Sequence, residues 1–286
     1  MNAAILHPDL TELRFATLQR NRQGTTLLNA GAFPFPEGAL HPHAAGPQAA
    51  KPAELAEVFA QAARRAGAGR FVLVLPDAWM KTFVLEGDRL PRRSQEARER
   101  VAWHLKKAFL LKPEDLRFAW TRLTPAPAGG DRFLVTFTLD RFLSVLEEAF
   151  ERQRLRLGAV LSTFWTLYHA LPREGRWSLL VLEEGLWTLG AFDGERLLQF
   201  RQRLIPPGGP APVLEEIGRT FTQTGEPPER TVVYQNPALL PLEEGGLPGV
   251  VLAPALRGRV KAEASRLPQF WNPEGEIFAG GLHAIP

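Results

Sequence analysis

Glu147-Glu148, Glu183-Glu184 and Glu243-Glu244 are pairs of adjacent carboxylates, and two carboxylates are what acid–base chemistry on a bond requires. Neighbouring side chains diverge on a helix and alternate faces on a strand, so none of these pairs encodes a two-carboxylate device locally. The six histidines are His7, His41, His43, His104, His169 and His283, and none forms the i, i+4 helical pair that holds zinc in a protease. His41 and His43 share a loop rich in Pro, Gly and Ala, but two ligands without a neighbouring acid or thiolate make a poor metal site. There is no cysteine, hence no disulfide and no thiol nucleophile, which suits a reducing compartment. Ser94, Ser144, Ser162, Ser178 and Ser265 all lie outside a Gly-x-Ser-x-Gly elbow. Pro206-Pro207-Gly208-Gly209 lacks the lysine and spacing of a phosphate loop and reads as a strand stop before a helix. The residues alone therefore predict no catalytic group, no metal and no cofactor.

The chain that carries them has 286 residues, 45% of them hydrophobic, enough for one large domain or two ordinary ones. Its formal charge of +3 is slight and its arginines are interleaved with glutamates, so the expectation is a solvated surface with no nucleic-acid partner. The basic residues Arg92, Arg93, Arg98, Arg100, Lys106 and Lys107 are the densest cluster, and Glu96 and Glu99 dilute it. The start of the chain has neither a basic segment nor a sustained apolar core, and no window approaches the roughly 20 apolar residues of a membrane span. A soluble, cytoplasmic protein without direct membrane insertion is expected.

Apolar stretches at Ala3 to Leu6, Leu13 to Leu18 and Thr26 to Phe33, separated by turn residues, predict an antiparallel meander. A loop to Pro52, a helix from about Ala53 to Ala66 and a nearly continuous apolar run from Arg70 to Pro76 follow, the last reading as a buried central strand. Then come a strand at Trp79 to Leu85, a helix from about Ser94 to Leu111, strands at Leu116 to Leu123 and Phe133 to Leu139, and a helix from about Asp140 to Arg154 with Asp140 as its N-cap. Ser178 to Gly209 supplies a second three-strand meander, followed by a helix from about Pro210 to Thr224 and a buried strand in RTVVY. The two halves repeat an order of elements without repeating residues.

Two meander-plus-helix halves suggest a two-lobed α/β fold of the actin-like, RNase H-like kind. Several stretches resemble the PilM proteins of type IV pilus assembly: FPFPEGAL in place of a PLPPG-like turn, RFVLVLPDAWMKTFVLE, EDLRFAW, LDRFLSVLEEAFERQRLRLGAVLSTFWTLYHAL, and IFAGGLHAIP at the end. The resemblance covers almost the whole chain through diffuse apolar patterns and extends to the related cytoplasmic GspL-like part of type II secretion. It implies a first lobe over residues 1–78 and 156–173, an inserted α+β subdomain over 79–155, a second lobe over 174–268, and a C-terminal segment, 269–286, returning to the first lobe.

Nucleotide-binding members of that fold cradle phosphates in two hairpins, with backbone N–H groups beside glycines and a carboxylate holding magnesium. This chain resembles them in residue type at Asp9, Glu183 and Gly185 only. LHPDLTEL has no glycine, and Pro8 removes an N–H; Leu182, Glu183 and Glu184 crowd the second hairpin; Gln235, Asn236 and Pro237 stand where a glycine pair is implied. The resemblance thus implies a non-catalytic scaffold of a pilus or secretion inner-membrane platform, peripheral to the membrane through a partner. The alternative is an ATP-binding enzyme of the actin-like and sugar kinase superfamily with a rearranged site.

In the helix from Ser94, Ala97, Val101, Leu105, Ala108 and Phe109 make a core stripe, while Trp103 and Leu110, seven apart, form a second apolar face. That face either packs on neighbouring strands or anchors a partner, for which a rigid tryptophan is well suited. The resemblance implies as partner the N-terminal cytoplasmic peptide of a PilN-like inner-membrane protein, held between the first lobe and the insert, and adds a pilus assembly ATPase as a further partner. Phe71, Leu73, Phe83, Leu85 and Trp103 are the positions expected to grip that peptide, with Trp79 and Trp120 assigned either to it or to the core.

Overall fold

The computed structural model describes residues 2–87, 94–125, 130–205, 211–223, 228–235, 250–252, 260–261, 277–278 and 281, apart from positions 23, 44, 156 and 184. Strands β1 (Asn2–Pro8), β2 (Glu12–Asn21) and β3 (Gly24–Pro34) form the predicted meander. Two short strands, β4 (Leu40–His41) and β5 (Gln48–Ala49), interrupt the loop before helix α1 (Pro52–Ala66). Strand β6 (Phe71–Leu75) then enters the sheet parallel to β1. Its five residues are all buried because both sheet faces are covered: Phe71, Leu73 and Leu75 face α1, and Val72 and Val74 face the other lobe.

A 3-10 turn, Asp77–Trp79, leads out of this sheet into the insert. There β7 (Lys81–Gly87), α2 (Ser94–Phe109), β8 (Leu116–Leu123) and β9 (Asp131–Leu139) make a three-stranded antiparallel sheet, ordered β7-β9-β8, with α2 across one face. Helix α3 (Asp140–Arg152) returns the chain beside α1. Its N-cap is Leu139, not the expected Asp140, because the Asp140 carboxylate is drawn to Arg117 at 2.6 Å and accepts from Ser144 at 3.2 Å. Strand β10 (Leu157–Ser162) pairs parallel with β6 and runs into α4 (Thr163–Ala170).

The second lobe repeats the plan. Strands β11 (Arg176–Glu183), β12 (Leu186–Asp193) and β13 (Arg196–Leu204) form a meander, α5 (Ala211–Gln223) covers one face, β14 (Arg230–Gln235) is parallel to β11, and β15 (Val250–Leu252) is parallel to β14. The order β13-β12-β11-β14-β15 thus matches β3-β2-β1-β6-β10 strand for strand. Strand β16 (Val260–Lys261), which lies within the 174–268 range that the resemblance implies for the second lobe, pairs with β3 in the first sheet.

The inner faces of both sheets share one core, in which Ile5, Val74, Phe164, Val181, Phe192 and Phe278 belong to a single cluster. Gly190 lets β12 approach α4, since a Cβ there would lie 2.5 Å from Phe164 Cζ. Ile277 and Phe278 are buried in this cluster, and Gly281 lies against Ile5 of β1. Among the described residues, no helix is long and apolar enough to cross a membrane.

Candidate functional site: the interlobe cleft and the groove beside the insert

Between the lobes lies a cleft of about 670 Å³ bordered by His7, Asp9, Arg14, Lys81, Glu183 and Gly185. It holds the acidic residues, Asp9 and Glu183, that suit magnesium by type, and each is already engaged. Asp9 Oδ1 accepts from the Thr11 backbone at 2.6 Å, the Thr11 hydroxyl at 2.7 Å and the Glu12 backbone at 2.8 Å, while Oδ2 faces Arg14 at 2.7 Å. Burial lifts this carboxyl, and the Thr11, Glu12 and Arg14 interactions outweigh it, leaving the pKa below its ordinary value. The turn from β1 to β2 therefore spends its N–H groups on its own aspartate.

At the second hairpin, Gly185 takes φ of +71°, a conformation glycine adopts without strain, and the turn joins β11 to β12. Glu183 reaches across to the first lobe, where its Oε2 accepts from the backbone N–H of Asp77 at 2.6 Å and of Ala78 at 3.4 Å. These N–H groups open the 3-10 turn after β6, and the glutamate fills the place an external anion would need. Asp77 is buried and accepts from the Phe164 N–H at 3.0 Å, at the start of α4. Burial and the neighbouring Asp77 raise the Glu183 pKa to about 8. Burial raises Asp77 as well, against the opposing pull of Ser162, Phe164 and Thr188. Burial lowers the half-exposed Lys81, and Asp77 and Glu183 partly restore it.

Gln202, on β13, completes the junction. Its Nε2 donates to the carbonyls of Asp77 at 2.9 Å and Met80 at 3.1 Å, and its Oε1 accepts from the Thr82 N–H at 3.1 Å. Arg132, on β9, adds a bond to the Leu198 carbonyl at 2.9 Å. The second lobe thus grips the strap between β6 and β7 at several points. Among the described residues no three His, Asp or Glu side chains converge as a metal site, and His43 Nδ1 accepts from the Ala45 N–H at 3.1 Å within its own loop. Gln235 ends β14; Asn236, Pro237, Glu184, Glu243, Glu244, Ser265, His283, Arg92, Arg93 and the Pro206–Gly209 stretch lie outside the described residues.

A second hollow, about 770 Å³, runs between the insert, the first lobe and the turn from β12 to β13 of the second lobe. Strand β8 is an edge of the insert sheet and β10 an edge of the six-stranded sheet, and both line it. Its apolar surface comes from Trp120, Leu134, Val160, Leu161, Trp165 and Tyr168, with Arg117, Arg122, His169, Glu195 and Arg196 supplying charge. Among the described residues neither edge has a further strand beside it, and an extended chain suits such an edge next to an aromatic floor.

The five residues expected to grip a partner are not gathered here. Phe71 and Leu73 are 0% and 1% exposed in the first-lobe core and have no surface to offer. Phe83 and Leu85 are half-buried beneath α2, with the Phe83 ring 5.1 Å from Phe109. Trp103 stands 55% exposed on the outer side of α2, outside the groove. Trp79 belongs to the core, edge-on to Phe142, whereas Trp120 lines the groove. The lining residues of α4 and β10 were missed; the compact aromatic run FWTLY after a short strand was their signal in the sequence.

No protein-family model matches the sequence, and no curated protein is significantly similar to it. Solved structures match it along its whole length. The structure of a PilM–PilN type IV pilus biogenesis complex aligns with a TM-score of 0.69 at 16% identity, over 99% of this chain and 97% of that one. The cytoplasmic domain of EpsL, an inner-membrane component of the type II secretion system of Vibrio cholerae, aligns with a TM-score of 0.53 at 12% identity, over 99% and 94%. A protein of unknown function from Bacteroides thetaiotaomicron with an actin-like ATPase fold aligns with a TM-score of 0.55 at 11% identity, over 100% and 96%. Two sheets that share an order of five strands around a common core, an α+β insert and these full-length matches together show that the chain has the two-lobed actin-like fold.

Proposed function

We propose that this chain is a non-catalytic scaffold of a type IV pilus or type II secretion-like inner-membrane platform, and that its groove beside the insert holds the N-terminal cytoplasmic segment of a PilN-like membrane protein. The observation that carries this reading is the groove itself: two strands, β8 and β10, each the edge of its sheet among the described residues, around Trp120 and Trp165. An extended peptide gains affinity there from main-chain bonds to an edge and specificity from the pockets beneath alternate side chains. The similarity of the fold to one solved with PilN supports the choice of partner. The engaged states of Asp9 and Glu183 support the absence of nucleotide chemistry. Such a protein works at the inner face of the membrane through its partner.

The test is a titration of the purified chain with a synthetic peptide of the N-terminal segment of the PilN-like protein from the same genome. Saturable binding is expected, weakened by about 2 kcal/mol in Trp120→Ala and in Trp165→Ala. Absence of binding at millimolar peptide, or binding that neither substitution weakens, would overturn the reading.

A further inference from the structure

Helix α2 ends on a surface that neither lobe covers. Trp103 is 55% exposed and Leu110, immediately after the helix, is 90% exposed. Leu110 also takes a left-handed backbone, φ +55°, and its N–H donates to the Lys106 carbonyl at 3.1 Å to close the last turn. Glycine normally fills that closing position, because a side chain there is strained. A leucine that is both strained and turned into water is disfavoured twice over by the isolated fold, which points to a use outside it.

The chemistry around it narrows that use. Lys106, Lys107 and Lys112 are exposed beside Leu110, and the Lys107 ammonium lies 5.2 Å from the centre of the Trp103 ring. The acidic residues of α2, Glu96 and Glu99, belong to its first half; Glu114 and Asp115 follow in the next turn and bound the positive patch. Trp103 and Leu110 line neither the cleft nor the groove, and of the residues at this helix end only Phe109 lines a hollow, on the side of β7 and β13. Exposed tryptophan, leucine and lysine together on a helix end match a bilayer interface: the indole seats at headgroup depth, the leucine enters the acyl boundary, and the ammonium groups pair with anionic phosphates.

We propose that the C-terminal tip of α2, formed by Trp103, Lys106, Lys107, Leu110 and Lys112, is a docking surface for an anionic lipid bilayer. With a shallow apolar insertion and three lysines the contact is weak and reversible, and stable attachment needs a second anchor. The proposal does not depend on the peptide groove.

The experiment is co-sedimentation of the full chain, with no peptide present, with vesicles of phosphatidylcholine alone or mixed with phosphatidylglycerol. Sedimentation is expected with the mixed vesicles only, falling as salt rises. The double variant Lys106→Glu, Lys107→Glu should weaken it by at least about 25-fold, taking roughly fivefold for each lost charge. Leu110→Gly is the decisive variant, because glycine relieves the left-handed turn: melting temperature should hold or rise while vesicle binding drops several-fold. Equal binding by Leu110→Gly and the parent, or no sedimentation with anionic vesicles, would overturn the proposal. Loss of peptide affinity in Trp103→Ala without any vesicle binding would assign the tip to a protein and overturn it equally.

Discussion

Glu183 and Asp77 are 106 residues apart in sequence, yet the carboxylate of the first lies 2.6 Å from the backbone nitrogen of the second. The contact fastens the first hairpin of the second lobe to the strap that leaves the first-lobe sheet. A carboxylate there satisfies N–H groups that nothing else in the turn can reach, and it brings a second acid beside the buried Asp77 side chain. The same bond therefore joins the lobes and places two acids together, which makes the junction sensitive to pH.

The folded pKa of Glu183 is about 8, against an ordinary 4.5, so between these values the folded chain holds a proton that the unfolded chain has released. The stability contributed is full below about pH 4.5 and is lost as pH rises towards 8, on the order of a few kcal/mol. Glu183→Gln keeps an acceptor for Asp77 and cannot titrate. Urea midpoints of parent and variant, measured from pH 4.5 to 9, should diverge steadily in favour of the variant as pH rises; parallel curves would contradict the assignment.

Gln202 makes three bonds to the strap, two as donor and one as acceptor. Gln202→Ala removes the side-chain partner of the Thr82 N–H and of the Met80 carbonyl, leaves the Asp77 carbonyl with the Met80 N–H alone, and should cost about 2–3 kcal/mol in chemical denaturation. Hydrogen exchange distinguishes this from a general loss of stability. The Thr82 amide should speed up far more than amides in β6, because opening the strap exposes the first without unfolding the second.

Much of this architecture was legible because strands with one covered face alternate and fully covered ones do not. Ala4 and Leu6 face α1 and α3 while Ala3 and Ile5 face the other lobe, which is the pattern of a buried meander strand. Phe71 and Leu73 were legible as central strand, and for that reason they could not also bind a partner: a strand covered on both sides has no side chain left over. The resemblance implied a groove between the first lobe and the insert, but its lining was not legible, since it arises where β8 and β10 come together and no periodicity reports which edges meet. Nor was the acid pair. Glu183 was weighed against its neighbour Glu184, whereas its true companion, Asp77, follows the apolar β6 far upstream. Asp140 shows the same limit on a small scale, its capping role displaced by an arginine on a different strand.

Nucleotide should leave the fold unmoved. A ligand at one hundred times its dissociation constant stabilises a protein by about 2.7 kcal/mol, a readily measured rise in melting temperature. Magnesium would have to take Asp9 from Thr11, Glu12 and Arg14, and phosphate would have to displace Glu183 from Asp77 and Ala78. Thermal unfolding with magnesium and ATP at millimolar concentrations is therefore expected to match the unliganded curve. A concentration-dependent rise that Asp9→Ala removes would restore the enzyme reading.

His7 sets the opposite pH dependence from the same cleft. Its ring is buried edge-on to Phe278, and Nδ1 donates to the Val74 carbonyl at 2.9 Å, which fixes the proton on that nitrogen because a carbonyl only accepts. Burial lowers its pKa to about 4 from 6.5, the bond to Val74 opposing this in part. The unfolded chain takes up a proton below pH 6.5 that the folded chain refuses until about pH 4, so stability is lost as pH falls through that window, by about 3 kcal/mol in all. His7→Asn retains an N–H for Val74 and has nothing to titrate. Its urea midpoint should trail the parent at pH 7 by the packing lost and overtake or meet it by pH 4.5; a gap that stays constant across the range would show that the histidine is not held neutral.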